Sequence, residues 1–575
     1  MLPIILLSGV ISILASPQRQ SEEFFRPSPT RPGSPTIPSA DRSQPDKIFL
    51  EEADSLFRTN PYEDIKIVKG NVLFRQGGMT LTCDSAYFYA ERDRADCFGN
   101  VRMVQGDTLF LYADRINYNG LSQFATLSNG PTAPKVRLIN TADTLITDSL
   151  DYNLFERLGW YSKGGELRDP TSTLTSGYGE YSPATKDARF FHDVVLINRK
   201  DNYRLLSDTL YYNTATGIAS IDSRTIIEGD NDTIITTGGT YNTNTGFADL
   251  TKRSLILHRD SNQNVVTLEG DSIIFDRDTE ISRAYRFRAP GKRGMPVVLT
   301  DTANKAVLIG GYGFYDNKGR TAMATEYPML MEYSRPDTVF LRADTIRTYM
   351  LHADAETDTL GNLLREEQDY YLAKAYNRSR FFRSDLQGVA DSITYVGLDS
   401  MIYLHRKPVV WSEERQINGD IILVHINDST ADWVRLPQNG MVMDHVEEDF
   451  YNQLSAKQML ATLENGAIRR LEAEGNVMAI ILPQESDSTY NKFVNAESSF
   501  LDVYFTDDDM ERLKMWPQVN GTVTPIGQVA DGDKLLKGAV WLEAIRPLRR
   551  WYGDRVTWED ELGEIPDELE KYFSQ

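Results

Sequence analysis

A repeat of about 31 residues constrains this chain more than any other feature of its sequence. Seven segments place an Asp in the same setting, and the Asp serves as the anchor of each copy: LTCDSAYFY, LYADRINYN, LITDSLDYN, LLSDTLYYN, LEGDSIIFD, LRADTIRTY and GVADSITYV. Their anchors are Asp84, Asp114, Asp148, Asp208, Asp271, Asp344 and Asp391; Gly177, Gly238 and Gly311 fill intervening copies, and Asp420 marks a weaker last one. A fixed period of this kind predicts stacked units of one architecture rather than several separate globules.

Apolar residues recur at fixed offsets from the anchor. Three residues before it stand Leu81, Leu111, Leu145, Leu174, Leu205, Ile235, Leu268, Leu308, Leu341 and Ile417, and only Gly388 interrupts the series. Four residues after it stand Phe88, Tyr118, Tyr152, Tyr181, Tyr212, Phe275, Tyr315 and Tyr395, and an aliphatic is common two residues after it (Ile116, Leu150, Leu210). Period two on each side of a bend residue predicts kinked β-strands with one buried face.

The sequence therefore predicts an all-β, repeat-built fold over residues 47–430, with divergent copies over 431–530. The runs lack helical periodicity and are broken by Gly, Asn and Asp about every ten residues. Near the C-terminus a short helix is expected within 444–465, and residues 531–575 are expected to form an amphipathic segment with an acidic tail.

The N-terminus has the pattern of an export signal. Residues 2–14 are uncharged and apolar apart from two serines. They are too few to cross a bilayer as a helix, and Ala15 and Ser16 follow as small residues. We interpret 1–15 as a signal peptide and 16–46 as a proline-rich linker. We therefore expect the protein to be exported to the periplasm.

Cys83 and Cys97 are the only cysteines. A hairpin turning near residues 91–94 would place Cys97 opposite Phe88 or a residue near it, and about 16 Å from Cys83. A disulfide needs Cα atoms within about 7 Å, so we expect two free thiols.

Charge and motifs exclude several function classes. Lys and Arg number 61 against 83 Asp and Glu, a net charge of −22, which argues against a nucleic-acid partner. The six His residues have no ligand spacing, and motifs for nucleotide, nucleophilic or metalloprotease chemistry are missing, so we expect a non-enzymatic protein without metal or cofactor. A basic cluster near the C-terminus is open to two interpretations, a solvated helix face or contact with lipid phosphates: Lys534, Lys537, Arg546, Arg549, Arg550 and Arg555.

The repeat resembles the OstA-like (organic solvent tolerance) family, which includes periplasmic lipopolysaccharide-transport proteins of the LptA type. The clearest stretch is KIVKGNVLFRQGGMTLTCDSAYFYAERDRADCFGNVRMVQGDTLFLYADRINYN, residues 66–119, and the resemblance extends over 66–425 and more weakly over 440–530. It implies an elongated, open antiparallel β jelly roll, with two sheets in a V around an apolar groove. It also implies a carrier or bridge that shields the acyl chains of lipopolysaccharide on the way to the outer membrane. The implied partners are lipopolysaccharide, other bridge proteins joined by edge-strand pairing, and an outer-membrane assembly component.

On this resemblance the repeated apolar columns are candidate groove residues: Leu81, Phe88, Leu111, Ile116, Tyr118, Leu145, Leu150, Tyr152, Leu205, Leu210, Tyr212, Leu268, Phe275 and Leu341. The alternative is that the same columns fill a closed core, as in a structural or adhesive β-solenoid at the cell surface. A polysaccharide-acting β-helix enzyme fits less well, because one Asp per repeat at a bend indicates structure rather than a unique catalytic pair. The acidic charge disfavours head-group attraction, so burial of acyl chains would have to dominate binding.

Overall fold

The computed structural model describes residues 46–547, except 59–63, 131–133, 260–262, 290–291, 334–337, 360–362, 385, 427–430, 465–466, 486–488 and 507–508, together with Lys571, Tyr572 and Ser574. The expected signal peptide and all but the last residue of the expected linker lie outside the described residues. Residues 47–575 group into one compact unit.

The expectation of an all-β fold is confirmed by fifty strands in the part of the chain that the structure describes. The first sixteen are β1 Phe49–Glu52, β2 Ser55–Arg58, β3 Ile65–Gln76, β4 Met79–Tyr89, β5 Arg94–Gln105, β6 Leu109–Asn119, β7 Phe124–Ser128, β8 Val136–Asn140, β9 Asp143–Thr147, β10 Ser149–Asn153, β11 Leu158–Tyr161, β12 Gly165–Arg168, β13 Ser172–Ser176, β14 Tyr178–Tyr181, β15 Asp187–Asn198 and β16 Tyr203–Asn213. The next twenty are β17 Ile218–Ile221, β18 Thr225–Glu228, β19 Asp232–Thr236, β20 Gly239–Asn242, β21 Phe247–Leu250, β22 Ser254–Arg259, β23 Val265–Gly270, β24 Ser272–Asp276, β25 Ile281–Tyr285, β26 Arg288–Ala289, β27 Lys292–Arg293, β28 Val297–Asp301, β29 Ala306–Gly310, β30 Tyr312–Asp316, β31 Thr321–Thr325, β32 Met329–Glu332, β33 Val339–Arg342, β34 Thr345–Ala353, β35 Glu356–Thr357 and β36 Leu363–Arg365.

The last fourteen strands reach residue 525. They are β37 Gln368–Phe382, β38 Gln387–Val396, β39 Met401–His405, β40 Val409–Ser412, β41 Arg415–Asn418, β42 Ile421–Ile426, β43 Ala431–Leu436, β44 Gly440–Glu447, β45 Phe450–Ala456, β46 Gln458–Glu464, β47 Ala467–Ile481, β48 Lys492–Thr506, β49 Asp509–Trp516 and β50 Asn520–Pro525. Three single 3-10 turns follow, Ile526–Gln528, Asp531–Asp533 and Glu543–Ile545.

Forty-six of these strands form one antiparallel hydrogen-bonded network that divides lengthwise into two layers. Ten long strands contribute one half to each layer: β3–β6, β15, β16, β37, β38, β47 and β48. In eight of them the two halves pair with different neighbours on one side, whereas β4 and β5 lie between long strands and bend with them at the bulges. The leucine layer contains the residues before each anchor, and the tyrosine layer contains those after it. Strands such as β8 and β9 lie only in the leucine layer, and β7 and β10 only in the tyrosine layer.

The strands cross between layers at β-bulges. In β3 and β5 the sequence Gly-Asn supplies two successive residues with positive φ, Gly70 and Asn71 (+76° and +46°) and Gly99 and Asn100 (+74° and +48°). These pairs lie opposite a single residue, the anchor, in the neighbouring strand, which is the two-against-one arrangement of a bulge. The Asn100 side chain donates to Asp84 Oδ2 at 2.9 Å. The Asp column is therefore structural at these bends.

The helix expected within 444–465 is wrong. The structure has strands there, β44, β45 and β46, and in β44 the core-facing Val442 alternates with Met441 and Met443, which pack on the other face of the strand. Period two was present in this segment, and its acidic turn around Glu447–Asp449 obscured it.

A strap formed by residues 526–547 lies on the outward side of the leucine layer. Its Leu536 and Ala539 pack with Met441, Met443 and Ile480. Two buried glutamines hold its backbone. Gln416 donates to the Val540 carbonyl (2.9 Å) and accepts from the Leu542 N–H (2.7 Å), and Gln453 makes the same pair of bonds to Lys534 and Leu536.

Cys83 and Cys97 are free and buried, as expected, but the distance expected between them is wrong. Cys97 pairs with Ala86 rather than Phe88, and the bulge brings the two thiols into hydrogen-bond contact. This contact lowers the pKa of Cys83, and together with burial it raises the pKa of Cys97 well above its usual range.

Candidate functional site: the interior between the two layers

One cross-strand ladder of apolar residues runs along the inner face of the leucine layer. It begins Phe74, Leu81, Met103, Leu111, Leu138, and each member is the direct partner of the next on the neighbouring strand. The ladder continues without a gap through Leu145, Leu167, Leu174, Leu196, Leu205, Ile227, Ile234, Ile256, Leu268, Leu299, Leu308, Leu330, Leu341, Phe381, Gly388, Val410, Ile417, Val442, Leu454 and Ala479. Gly388 leaves room for the Phe381 ring, which would lie 2.3 Å from a Cβ there.

The fourteen candidate groove residues lie together in this interior. Thirteen of them are at most 6 % exposed, and Leu341 is partly buried against the same core. Leu81, Leu111, Leu145, Leu205, Leu268 and Leu341 belong to the ladder. The others face them from the tyrosine layer: Phe88, Ile116, Tyr118, Leu150, Tyr152, Leu210, Tyr212 and Phe275. Whether they contact lipid stays a prediction.

Large and small residues alternate along the tyrosine layer from Phe88 to Ala322, and Thr348 then stands where a ring is expected. Ala125, for example, lies directly between Tyr118 and Tyr152. The full row of direct partners is Phe88, Ala95, Tyr118, Ala125, Tyr152, Gly159, Tyr181, Ala188, Tyr212, Ala219, Tyr241, Ala248, Phe275, Ser282, Tyr315, Ala322, Thr348, Ala373 and Tyr395. Each ring spreads over the space that its small neighbours leave, which is how a closed interior is filled to high density.

The edge where an open V was expected is bridged between residues 76 and 243. Gln76 of the leucine layer donates to the Gly120 carbonyl in a turn of the tyrosine layer (3.1 Å) and accepts from the Tyr118 hydroxyl. One repeat later Gln105 makes the same two bonds, to Leu154 and from Tyr152, each at 3.1 Å. We call these side-chain bridges latches. Two further latches are Asn140 to Pro183 (2.8 Å) and Asn198 to Thr243 (3.0 Å).

Burial favours the protonated form of the tyrosines along this edge. Desolvation raises the pKa of Tyr118, Tyr152, Tyr181 and Tyr212 well above the usual range for a phenol. Their hydroxyls therefore remain donors across the physiological pH range. The Tyr212 hydroxyl donates to Asp169 at 2.6 Å, and that carboxylate raises the pKa further.

One copy of the repeat was placed one residue out of register. Taking Gly238 as its anchor put Ile235 in the apolar column, but the ladder member is Ile234, which is 1 % exposed. The anchor position is therefore Thr237. Counting from it finds Tyr241, a fully buried aromatic of the tyrosine row that the sequence reasoning missed.

A cavity of about 470 Å³ opens between the layers at strands β22–β37. Its apolar wall consists of Leu299, Leu308, Leu330, Tyr315, Ala322 and Thr348, and its polar rim includes Arg259, Asp301, Lys318, Arg320 and Asp369. The sequence analysis did not predict this cavity. The signal for it was Thr348, which stands four residues after the anchor Asp344, where most other repeats have an aromatic residue.

The described basic residues near the C-terminus do not form a helix face. Arg546 and Lys534 are both part of the strap. Arg546 donates two hydrogen bonds to Gln387 (2.9 and 2.7 Å), and Lys534 forms an ion pair with Asp531 at 2.8 Å. Arg549, Arg550 and Arg555 lie outside the described residues. Within the described part of the chain, His, Cys, Asp and Glu form no group of three or more suited to a metal ion, and no helix is long and apolar enough to span a membrane.

A comparison of the sequence with known protein families finds a match in the N-terminal repeats, which contain the start of the ladder, the Gly-Asn bulges of β3 and β5 and the first latches. Residues 45–208 match the family model of the OstA-like protein. The similarity to the OstA-like family is shown for this segment, which is less than a third of the chain. It covers strands β1–β15 and most of β16, and the same ladder continues beyond it to Ala479. The OstA-like family is associated with lipopolysaccharide transport. No curated protein matches the sequence.

Proposed function

We propose that this protein is a non-enzymatic, periplasmic carrier or bridge for lipopolysaccharide on its way to the outer membrane. The observation that supports it is the OstA-like match over residues 45–208, whose apolar ladder continues unbroken through the following repeats. A lipid whose acyl chains replace the contacts between the layers needs no specific polar site, because burial of apolar surface supplies the binding energy.

The latches give this proposal a mechanism. The layers are continuous at the bulges, and the opposite edge is held by hydrogen bonds such as Gln105 to Leu154 and Tyr152 to Gln105. Each such bond contributes about 1 kcal/mol. At about 25 cal/mol/Å², the burial of roughly 40 Å² of acyl surface offsets one such bond, and roughly 80 Å² offsets a latch of two bonds. Acyl chains that part the edge would therefore enter between the layers while the head group stays in water.

Photo-crosslinking in cells tests the carrier. A crosslinking residue replaces Leu111 or Leu205 on the inner ladder, and Thr108 or Arg204, both exposed, serve as matched controls one or three residues away. Lipopolysaccharide adducts at the inner pair only would support the proposal. With the protein folded, adducts at neither pair, or at the outer pair alone, would contradict it.

A structural or adhesive rod is the second candidate, and the alternation of Tyr and Ala favours it. An interior filled by its own side chains is stable without a ligand. If the rod is right, the layers stay closed and the inner positions give no adducts in cells that are actively exporting lipopolysaccharide.

A further inference from the structure

The row of alternating large and small residues is interrupted at one aromatic position. Between Ala322 and Ala373 the direct partner is Thr348, four residues after the anchor Asp344, where most other copies carry Tyr or Phe. Three consecutive strands, β31, β34 and β37, therefore present small side chains at the same level. The volume that a ring would occupy is left to the cavity, which Thr348 lines.

The cavity has the composition of a site for an amphiphile. Its inner wall is formed by the ladder residues Leu299, Leu308 and Leu330. Its volume of about 470 Å³ is roughly three times that of an engineered core cavity that binds benzene. It lies within the range of small-ligand sites and suits one extended hydrocarbon chain rather than a bundle of several.

The rim of this cavity differs from the latched edge of the earlier repeats. Asp301, two residues beyond Leu299, occupies the place that Gln76, Gln105 and Asn140 hold relative to their ladder residues. It accepts instead from the N–H (3.0 Å) and side-chain amide (2.7 Å) of Asn304 in its own turn.

Three cations, Arg259, Lys318 and Arg320, line this rim against two carboxylates, Asp301 and Asp369, in a chain whose net charge is −22. Arg320 forms an ion pair with Asp369, and Lys318 lies 3.8 Å from Glu280. With Glu280 the carboxylates equal the cations in number, so an anionic group at the mouth would be held by direct contact with Arg259 and Lys318 and not by a net positive charge.

We propose that this cavity binds a single acyl chain of an anionic lipid, with the chain between the layers and the acidic head group near Arg259 and Lys318. The inference rests on the proposed lipid-carrier function and makes it more specific. It assigns a preformed site for one chain at residues 258–371, whereas the ladder elsewhere must be opened first. The head group is a phosphate or a carboxylate, which the same cations would bind.

The test fills the cavity in the full-length protein. Native mass spectrometry and calorimetry measure the binding of palmitate, of palmitoyl lysophosphatidic acid and of uncharged monopalmitoylglycerol. We expect one anionic chain per wild-type protein and at least tenfold weaker binding in Thr348→Tyr, which restores the aromatic of the repeat. Thr345→Tyr, on the outward side of the same strand, is the matched control and should bind like the wild type. Ala322→Leu fills the same space from the neighbouring strand if Thr348→Tyr does not fold.

The role of the rim cations is tested by removing two of their charges, with Lys318→Gln combined with Arg259→Gln. This variant should weaken binding of both anionic probes and leave monopalmitoylglycerol unchanged, and the ratio of palmitate to lysophosphatidic acid affinity tells carboxylate from phosphate. Equal binding by wild type and cavity-filled variants would overturn the site. The site would also be overturned if the wild-type protein bound no single-chain lipid but still gave lipopolysaccharide adducts at Leu111, and that result would not contradict the carrier function. The absence of both single-chain binding and lipopolysaccharide adducts would contradict the carrier function as well.

Discussion

At the scale of residues, the interior depends on pairing each ring with small neighbours. Ala125 has no exposed surface and lies between Tyr118 and Tyr152. The Leu and Tyr columns were predictable from the sequence because their period is short and repeated. The small residues opposite each ring could not be predicted, because their place depends on which strands become partners.

Ala125→Leu should therefore destabilise the protein by about 1–3 kcal/mol, since three extra carbons have no space beside the two rings. Thr126→Leu, at the next, outward-facing position, should change stability by no more than about 0.5 kcal/mol. Thermal and urea unfolding of the two variants would measure the difference, and equal stabilities would contradict a filled interior.

Gly99 is the second residue-scale constraint. Its φ is +74°, and a Cβ would lie 2.4 Å from Asp84 Oδ2. Gly99→Ala should cost at least about 1–2 kcal/mol from the backbone conformation alone, with a further cost from the contact. Adding Asp84→Ala should recover only the stability lost through the contact with Asp84 and not the stability lost through the backbone conformation. A double variant as stable as the wild type would therefore show that the backbone is not strained.

At the scale of elements, the strands followed from the sequence and the strap did not. The repeat motif locates the bend of each long strand, and Gly-Asn marks the bulges of β3, β5 and β47. The helix expected within 444–465 failed because short strands with polar turns can imitate a helical pattern. The strap contains many apolar residues but shows no regular period, so its position on the leucine layer depends on partners far away in the sequence, such as Gln416 and Gln453.

Gln416→Ala should loosen the strap, since it leaves the Val540 carbonyl and the Leu542 N–H without their partner at a site where Gln416 is fully buried. We expect a loss of about 2 kcal/mol and faster amide hydrogen exchange around residues 540–542. Gln458→Ala removes only an exposed bond to Glu474 and is the control. Unchanged exchange at Leu542 in Gln416→Ala would show that the glutamine does not hold the strap.

At the scale of the whole molecule, the described network ends in strands with a neighbour on one side. β1 and β2 pair only with β3, and β49 and β50 pair only with β48. Exposed apolar residues mark both ends, among them Phe49 (63 %), Phe57 (55 %) and Val523 (65 %). Unpaired strand edges of this kind favour the addition of further strands.

We therefore expect head-to-tail association, either between copies of this chain or with a different protein that offers a strand edge. Phe57→Asp combined with Val523→Asp should shift the chain towards monomer in sedimentation velocity experiments at micromolar concentration. Phe155→Asp changes an equally exposed aromatic in a turn away from both ends and should have no effect. Association that survives the double substitution would exclude these edges as the contact.

The alternation of large and small residues also sets a counting rule for how such a chain can change in length. Removing or adding one strand of the tyrosine layer would place Tyr against Tyr or Ala against Ala, giving a steric clash or a void. Insertions and deletions are tolerated only in pairs of strands, which is one repeat of about 31 residues. The length of the molecule should therefore change in steps of one repeat, and at Thr348 a repeat is present without its ring.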